Sequence, residues 1–133
     1  MNRSRNKVPK PLAEVVRVQA RHRCGYCLTS GALIGMPMEF EHLFPKVAGG
    51  KTVETNLWLS CRRCNGFKGM LIEANDPQTG EQIPLFNPRE QSWIEHFAWS
   101  EDGTEIIGQT TYGRATLAAL KMNNPEIVAA RRR

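Results

Sequence analysis

This sequence predicts an α+β fold: a strand–loop–strand–helix unit clamped at its base, followed by a hairpin and two helices. Three observations point there. Two C-x-x-C pairs, "CGYC" at Cys24 and Cys27 and "CRRC" at Cys61 and Cys64, are separated by 33 residues. Between them lie two short strand-forming runs around a Gly-Gly loop. The flanking segments carry helical periodicity, or strand runs about an Asp-Gly turn. A length of 133 residues suits one domain, 1–133. At 41% hydrophobic and 23% charged residues, a core is expected and wholesale disorder is not.

The elements follow in order. "PLAEVVRVQARHRC" places Leu12, Val15, Val16 and Val18 among arginines, an amphipathic helix with proline at its start. It delivers the chain to the first cysteine pair. Residues 38–44 read as a strand, Gly49-Gly50 to Thr55 as a loop, and "NLWLS" as a second strand with Leu57 and Leu59, or else Trp58, inward. "CRRCNGFKGM" leads into a short helix. "NDPQTGEQIPLFNP" is dense in turn formers. "SWIEHFAWS" and "TEIIGQT" flank "EDG" as a hairpin, and residues 111–121 and 125–131 read as helices, the second opened by Pro125.

Two C-x-x-C pairs read as a tetrahedral four-cysteine zinc site. Thiols stay reduced inside cells, and a redox C-x-x-C needs no second copy. No segment is long and apolar enough to span a bilayer, and the basic "MNRSRNKVPKP" has no apolar run behind it. The reading is therefore cytoplasmic, with no membrane partner. The net charge is +5. Residues 73–105 hold eight acidic residues and one basic one, Arg89, so the rest is strongly basic. Such a surface attracts polyanions, nucleic acid above all, or simply keeps a small protein in solution.

The insert between the pairs carries Glu41, His42 and Asn56, and the second pair is followed by Asn65 and Lys68. Phosphodiester hydrolysis needs a base for water, a cation at the phosphate and compensation of the developing charge. A neutral imidazole is a base near pH 7. A carboxylate and an amide oxygen are hard ligands that suit magnesium. Asn56 can pin the loop and orient His42 through its amide or backbone. Asn65 is either a ligand or a helix N-cap. Lys68, one helical turn on, either faces the same phosphate or is solvated.

These residues in this order, C24-x-x-C27, E41-H42-x-x-P45, N56-L57 and C61-x-x-C64-N65-x-x-K68-G69, resemble the HNH endonucleases, the zinc-stapled branch of the ββα-metal (His-Me finger) nucleases. The likeness covers about residues 20–70. Residues 71–133 are expected as a hairpin plus helices packed on the core, and "PLFNPREQSWIEHFAWSEDGT" and "GRATLAAL" within them are similar to a C-terminal extension of bacterial HNH proteins. The resemblance implies a metal-dependent endonuclease acting on DNA. By resemblance His42 would be the general base, Asn56 the loop-fixing asparagine and Asn65 a metal ligand; Glu41 as the second ligand of one Mg2+ or Mn2+, and Lys68 facing the phosphate, complete the expected catalytic set. The family more often has aspartate before the base, and here Glu41 is one methylene longer. With Asn65 in the place of a last histidine, a hard ion is favoured over catalytic zinc.

Other residues read more plainly. Arg62 and Arg63 are candidate phosphate contacts or solvated arginines. His22 is a helix-end residue or a phosphate contact, since four cysteines already close the zinc site. His96 reads as a hydrogen-bonded sheet histidine, Trp93, Phe97 and Trp99 as one core face, and Arg131 to Arg133 as a frayed basic tail. Monomer and dimer both fit. The alternatives are a zinc-stabilised nucleic-acid-binding module without catalysis, and a zinc-stapled protein-interaction domain using the acidic segment.

Overall fold

The computed structural model describes residues 8–31 and 38–133. Helix α1 (Lys10–Gln19) starts after Pro9, with a second proline in its first turn, where a missing N–H costs nothing. It buries Ala13 and Val16. Arg21 and His22 follow, both left-handed at φ of 56° and 57°, a conformation non-glycine residues adopt reluctantly. They turn the chain sharply into the first cysteine pair, a small reversal closed by Cys24 N–H donating to Thr29 O at 2.9 Å.

Strands β1 (Glu39–His42) and β2 (Leu57–Ser60) form a two-stranded antiparallel sheet, with Glu39 opposite Ser60 and His42 opposite Leu57. The expected strand over 38–44 is thus shorter. Beyond His42, the Phe44 N–H is captured by the Asn56 side chain instead of a partner strand. In β2 the buried pair is Leu57 and Leu59; Trp58 lies under the Arg89 guanidinium at 4.9 Å. Helix α2 (Arg62–Lys68) follows at once, capped by Cys61, whose Sγ accepts from Cys64 N–H. One face of β1 meets α2. On the other, Arg17 of α1 lies over the Phe40 ring at 5.1 Å. This is the expected small α+β arrangement, strand–strand–helix with a clustered four-cysteine site, and helices follow at the C-terminus.

The segment read as turns holds a hairpin, β3 (Glu73–Asn75) with β4 (Gln82–Pro84). Its strands have three residues each, mostly exposed, so no apolar alternation marks them. Their turn is organised by Asp76, which accepts from Gln78 N–H and the Thr79 hydroxyl. A one-turn helix α3 (Trp93–His96) precedes the expected hairpin of β5 (Phe97–Trp99) and β6 (Ile106–Gly108). His96 therefore closes a helix and does not sit in a sheet; its Nδ1 pairs with Thr110 Oγ1 at 2.6 Å. Trp93 is helical too, so the three aromatics do not share one strand face. Phe97 is buried, Trp93 stacks on it at 5.2 Å, and Trp99 stays 39% exposed.

Helices α4 (Thr111–Ala119) and α5 (Pro125–Arg131) complete the chain, each with a side-chain N-cap, Thr110 and Asn124. Arg131 is no frayed tail. Its guanidinium donates to Thr104 O, Met122 O and Asn123 Oδ1 and covers Trp99 at 5.3 Å. The four cysteines and Tyr26 share one buried cluster with Phe86, Phe97, Ile106, Leu120 and Met122. Trp93 Nε1 donates to Tyr26 O at 2.7 Å, and Arg89 bridges Leu57 O and Gln19 Oε1. The one base of the acidic segment is therefore a tie to α1 and β2.

Arg114 of α4 forks both oxygens of Asp76, at 3.0 and 2.9 Å, and this carboxylate has no exposed surface. The Arg114 guanidinium, with the Thr79 and Gln78 donors, holds the Asp76 carboxyl down to about 2. A depressed carboxyl stabilises the fold above its ordinary value of about 4 and loses that effect as pH falls through the folded value. Arg114→Met is expected to lower Tm at neutral pH, with the gap to wild type closing toward pH 2 in a thermal-melt series. A gap that does not change with pH would show that the pair contributes only packing.

Candidate active site and metal-binding cluster

The ligand sulfurs of Cys24, Cys27, Cys61 and Cys64 all lie within 4.8 Å of one another, and all four residues are buried. Cys27 and Cys61 Sγ are 3.7 Å apart. A tetrahedron with Zn–S bonds of about 2.3 Å has edges of about 3.8 Å. The donor set is consistent with zinc: four soft sulfurs clustered within 4.8 Å of one another, all on buried residues. Burial pushes the Cys24 thiol up, whereas hydrogen bonding from Cys24 draws Cys27 down. The cysteines are free of disulfides, and His22 stands outside the cluster, exposed at the end of α1.

The sheet and α2 frame a second feature. A cleft of about 430 Å³ runs along β1, lined by Glu39, Glu41, His42, Lys46, Asn65 and neighbours. Among the described residues β1 pairs on one side only, and consecutive residues from both its faces line this cleft. His42 is half-buried at the end of β1, its Nε2 2.8 Å from Thr52 Oγ1. Desolvation, with Lys46 and Lys68 adding repulsion, holds its imidazole below the ordinary histidine value. The site histidine therefore favours its neutral, basic form.

Asn56 is the staple of the loop between the strands. Its Oδ1 accepts from Phe44 N–H at 2.8 Å, and its Nδ2 donates to Phe44 O and Lys51 O. One side chain thus satisfies backbone groups at both ends of the loop. Gly50 permits the tight path, because a Cβ there would collide with the Phe44 carbonyl oxygen. Asn56 makes no side-chain hydrogen bond to His42, so any influence on the imidazole passes through the loop.

Glu41 is buried. Its Oε1 accepts from the Tyr26 hydroxyl at 2.9 Å and pairs with Lys68 Nζ at 3.3 Å. Burial pushes the carboxyl up, against the pull of Lys68 and Tyr26. Its Oε2 is buried with no hydrogen-bond partner among the described residues. An orphaned carboxylate oxygen is costly and calls for a donor or a cation. Lys68 departs from both sequence expectations. It is neither solvated nor turned with Asn65 toward an outside phosphate, but buried against Glu41, where its charge offsets a desolvated carboxylate.

Asn65 is not an N-cap, since Cys61 caps α2. Its Nδ2 donates to Glu39 Oε1 at 2.7 Å, which leaves its Oδ1 as the acceptor end. Glu39 is the member of this group to which sequence reasoning assigned no role. The period-two alternation of a strand was the available signal, because it puts Glu39 and Glu41 on one face. Glu39, Glu41 and Asn65 thus line one cleft with hard oxygen donors. Arg62 and Arg63 are separated from this group: they line another groove with Cys61, Glu126 and Ile127.

Residues 24–70 match the family model described as HNH endonuclease. No curated protein and no solved structure matches the chain. No helix among the described residues is long and apolar enough to cross a membrane. Residues 24–70 are thus similar to the HNH endonuclease family, and the four-cysteine cluster at their ends is consistent with a zinc-binding knuckle pair.

Proposed function

We propose that the protein is a metal-dependent endonuclease hydrolysing phosphodiester bonds in DNA, with His42 as general base. The observation that carries this reading is the shared cleft. A half-buried imidazole held off its charged form stands there beside Glu41, with its unpartnered buried oxygen, and Asn65, inside the HNH-matched segment. His42 takes a proton from water, whose oxygen attacks phosphorus as the bond to the 3′ oxygen breaks, leaving 5′-phosphate and 3′-hydroxyl ends. Glu41 and Asn65 would hold one Mg2+ or Mn2+, which when bound supplies charge stabilisation at the leaving oxygen. Asn56 fixes the loop behind the base. Lys68 neutralises Glu41 from within and tunes its carboxylate. The four cysteines hold zinc as a structural ion.

Arg62, exposed, and Arg63, half-buried, at the start of α2 are assigned to the DNA backbone beyond the cleft. Charge removal at either should weaken binding about equally for all sequences and flatten the salt dependence of binding by about one unit of slope. Titrations over a salt series check this, and an unchanged slope takes the arginines out of the interface.

A second reading, a zinc-stabilised nucleic-acid-binding module without catalysis, draws on the engagement of Glu41 by Lys68 and Tyr26. Supercoiled-plasmid nicking in magnesium or manganese separates the two. The endonuclease reading requires nicking that stops with EDTA and in His42→Ala. A folded, zinc-loaded wild type inert on plasmid, single-stranded and branched DNA and RNA gives the lead to the binding module.

A further inference from the structure

Among the described residues His42 makes one side-chain hydrogen bond, and it goes to a residue with no role so far: Thr52 Oγ1, 2.8 Å from Nε2. We propose that Thr52 is the positioning residue of the base: its hydroxyl accepts the Nε2 proton, fixing the ring and the tautomer that leaves Nδ1 basic. This rests on the endonuclease reading and supplies the link missing between the loop-fixing asparagine and the imidazole.

A neutral imidazole has one N–H and one lone pair. If the threonine hydroxyl donated to Nε2, the proton would sit on Nδ1 and neither nitrogen could take one from water. If it accepts, Nδ1 is bare. A hydroxyl can serve in either direction, so its own proton must turn elsewhere, and a half-buried Thr52 leaves room for it to reach solvent. The placement of Thr52 is over-determined. Lys51 O, one residue before it, accepts from Asn56 Nδ2 at 2.9 Å. Gly50, two before, is pressed under Phe44 O, with its N–H donating to Pro45 O at 2.9 Å. β-Branching restricts the Thr52 side chain further. The loop thus presents a hydroxyl to the ring as a fixed point.

The test uses the full chain loaded with zinc, as wild type, Thr52→Val and Thr52→Ser. Valine keeps the shape and removes the hydroxyl; serine restores it. Nitrogen-15 and carbon-13 shifts of His42, read with the ring neutral and no substrate present, report the tautomer. The expected wild type carries its proton on Nε2, and Thr52→Val loses that preference. In nicking assays, kcat of Thr52→Val falls by on the order of tenfold, the worth of one hydrogen bond, with KM unchanged, and Thr52→Ser recovers most of the loss. A wild-type Nδ1–H tautomer, or wild-type kcat in Thr52→Val, overturns the assignment while the nuclease reading stands. A wild type inert on every substrate removes the nuclease reading, and the tautomer measurement then decides the Thr52–His42 contact alone.

Discussion

His42→Ala is expected to lower metal-dependent nicking by about 10²–10⁴-fold, the usual worth of a positioned general base. Zinc content and Tm should stay near those of wild type. The separation is expected because His42 sits half-exposed at a strand end, its ring bonded to Thr52, and takes no part in the buried cluster around the cysteines. Deleting it therefore removes a base without opening the core. The pH profile carries a second signature. Desolvation holds the imidazole below its ordinary value of 6.5. A base with a depressed value stays unprotonated further into acid, so the acid limb of kcat/KM should fall below 6.5, and His42→Ala should lose it. Nicking by a zinc-loaded His42→Ala at the wild-type rate would remove the base role from this residue.

Loss of the cysteine-bound ion should have the larger effect on stability. Structural zinc contributes on the order of 10 kcal/mol of apparent folding free energy, comparable with the whole stability of a small domain. Here the cluster lies inside the core. Cys24 and Cys64 are 0% and 2% exposed, and they pack in the same cluster as Phe86, Phe97, Leu120 and Met122 from the C-terminal half. Without metal, mutually repelling or partly protonated sulfurs stand where the two halves meet. Chelation, or Cys64→Ala, should therefore unfold both halves together, in one transition followed by circular dichroism and tryptophan fluorescence. Zinc release should titrate at one ion per chain. A Cys64→Ala protein that melts like wild type would mean that the hydrophobic contacts alone hold the fold.

Much of this was legible in the chain. Spacing alone marked the four cysteines as one site, because two-residue gaps aim paired sulfurs at a point. The strand–loop–strand–helix order between them followed from local patterning. So did α4, α5 with Pro125 at its start, and the Asp-Gly hairpin. What stayed hidden depended on partners distant in sequence. The β3–β4 hairpin has no apolar alternation, and its turn is secured from outside by Arg114. Arg131 reads as tail until the carbonyls of Thr104 and Met122 are placed around it.

The sequence by itself determined the chemistry on offer: four thiols for a soft metal, a histidine beside a carboxylate, an asparagine at a loop end, and an uneven charge. Local spacing fixes those, since ligand type and neighbour distance are written in the chain. Only the tertiary structure decided how the groups are used. It turned Lys68 inward to a buried Glu41, set Glu39 against Asn65, and brought the Thr52 hydroxyl to the imidazole. Each of these depends on which group faces which across 10 to 27 positions of chain. Packing and desolvation settle that choice, and neither is expressed in any one segment.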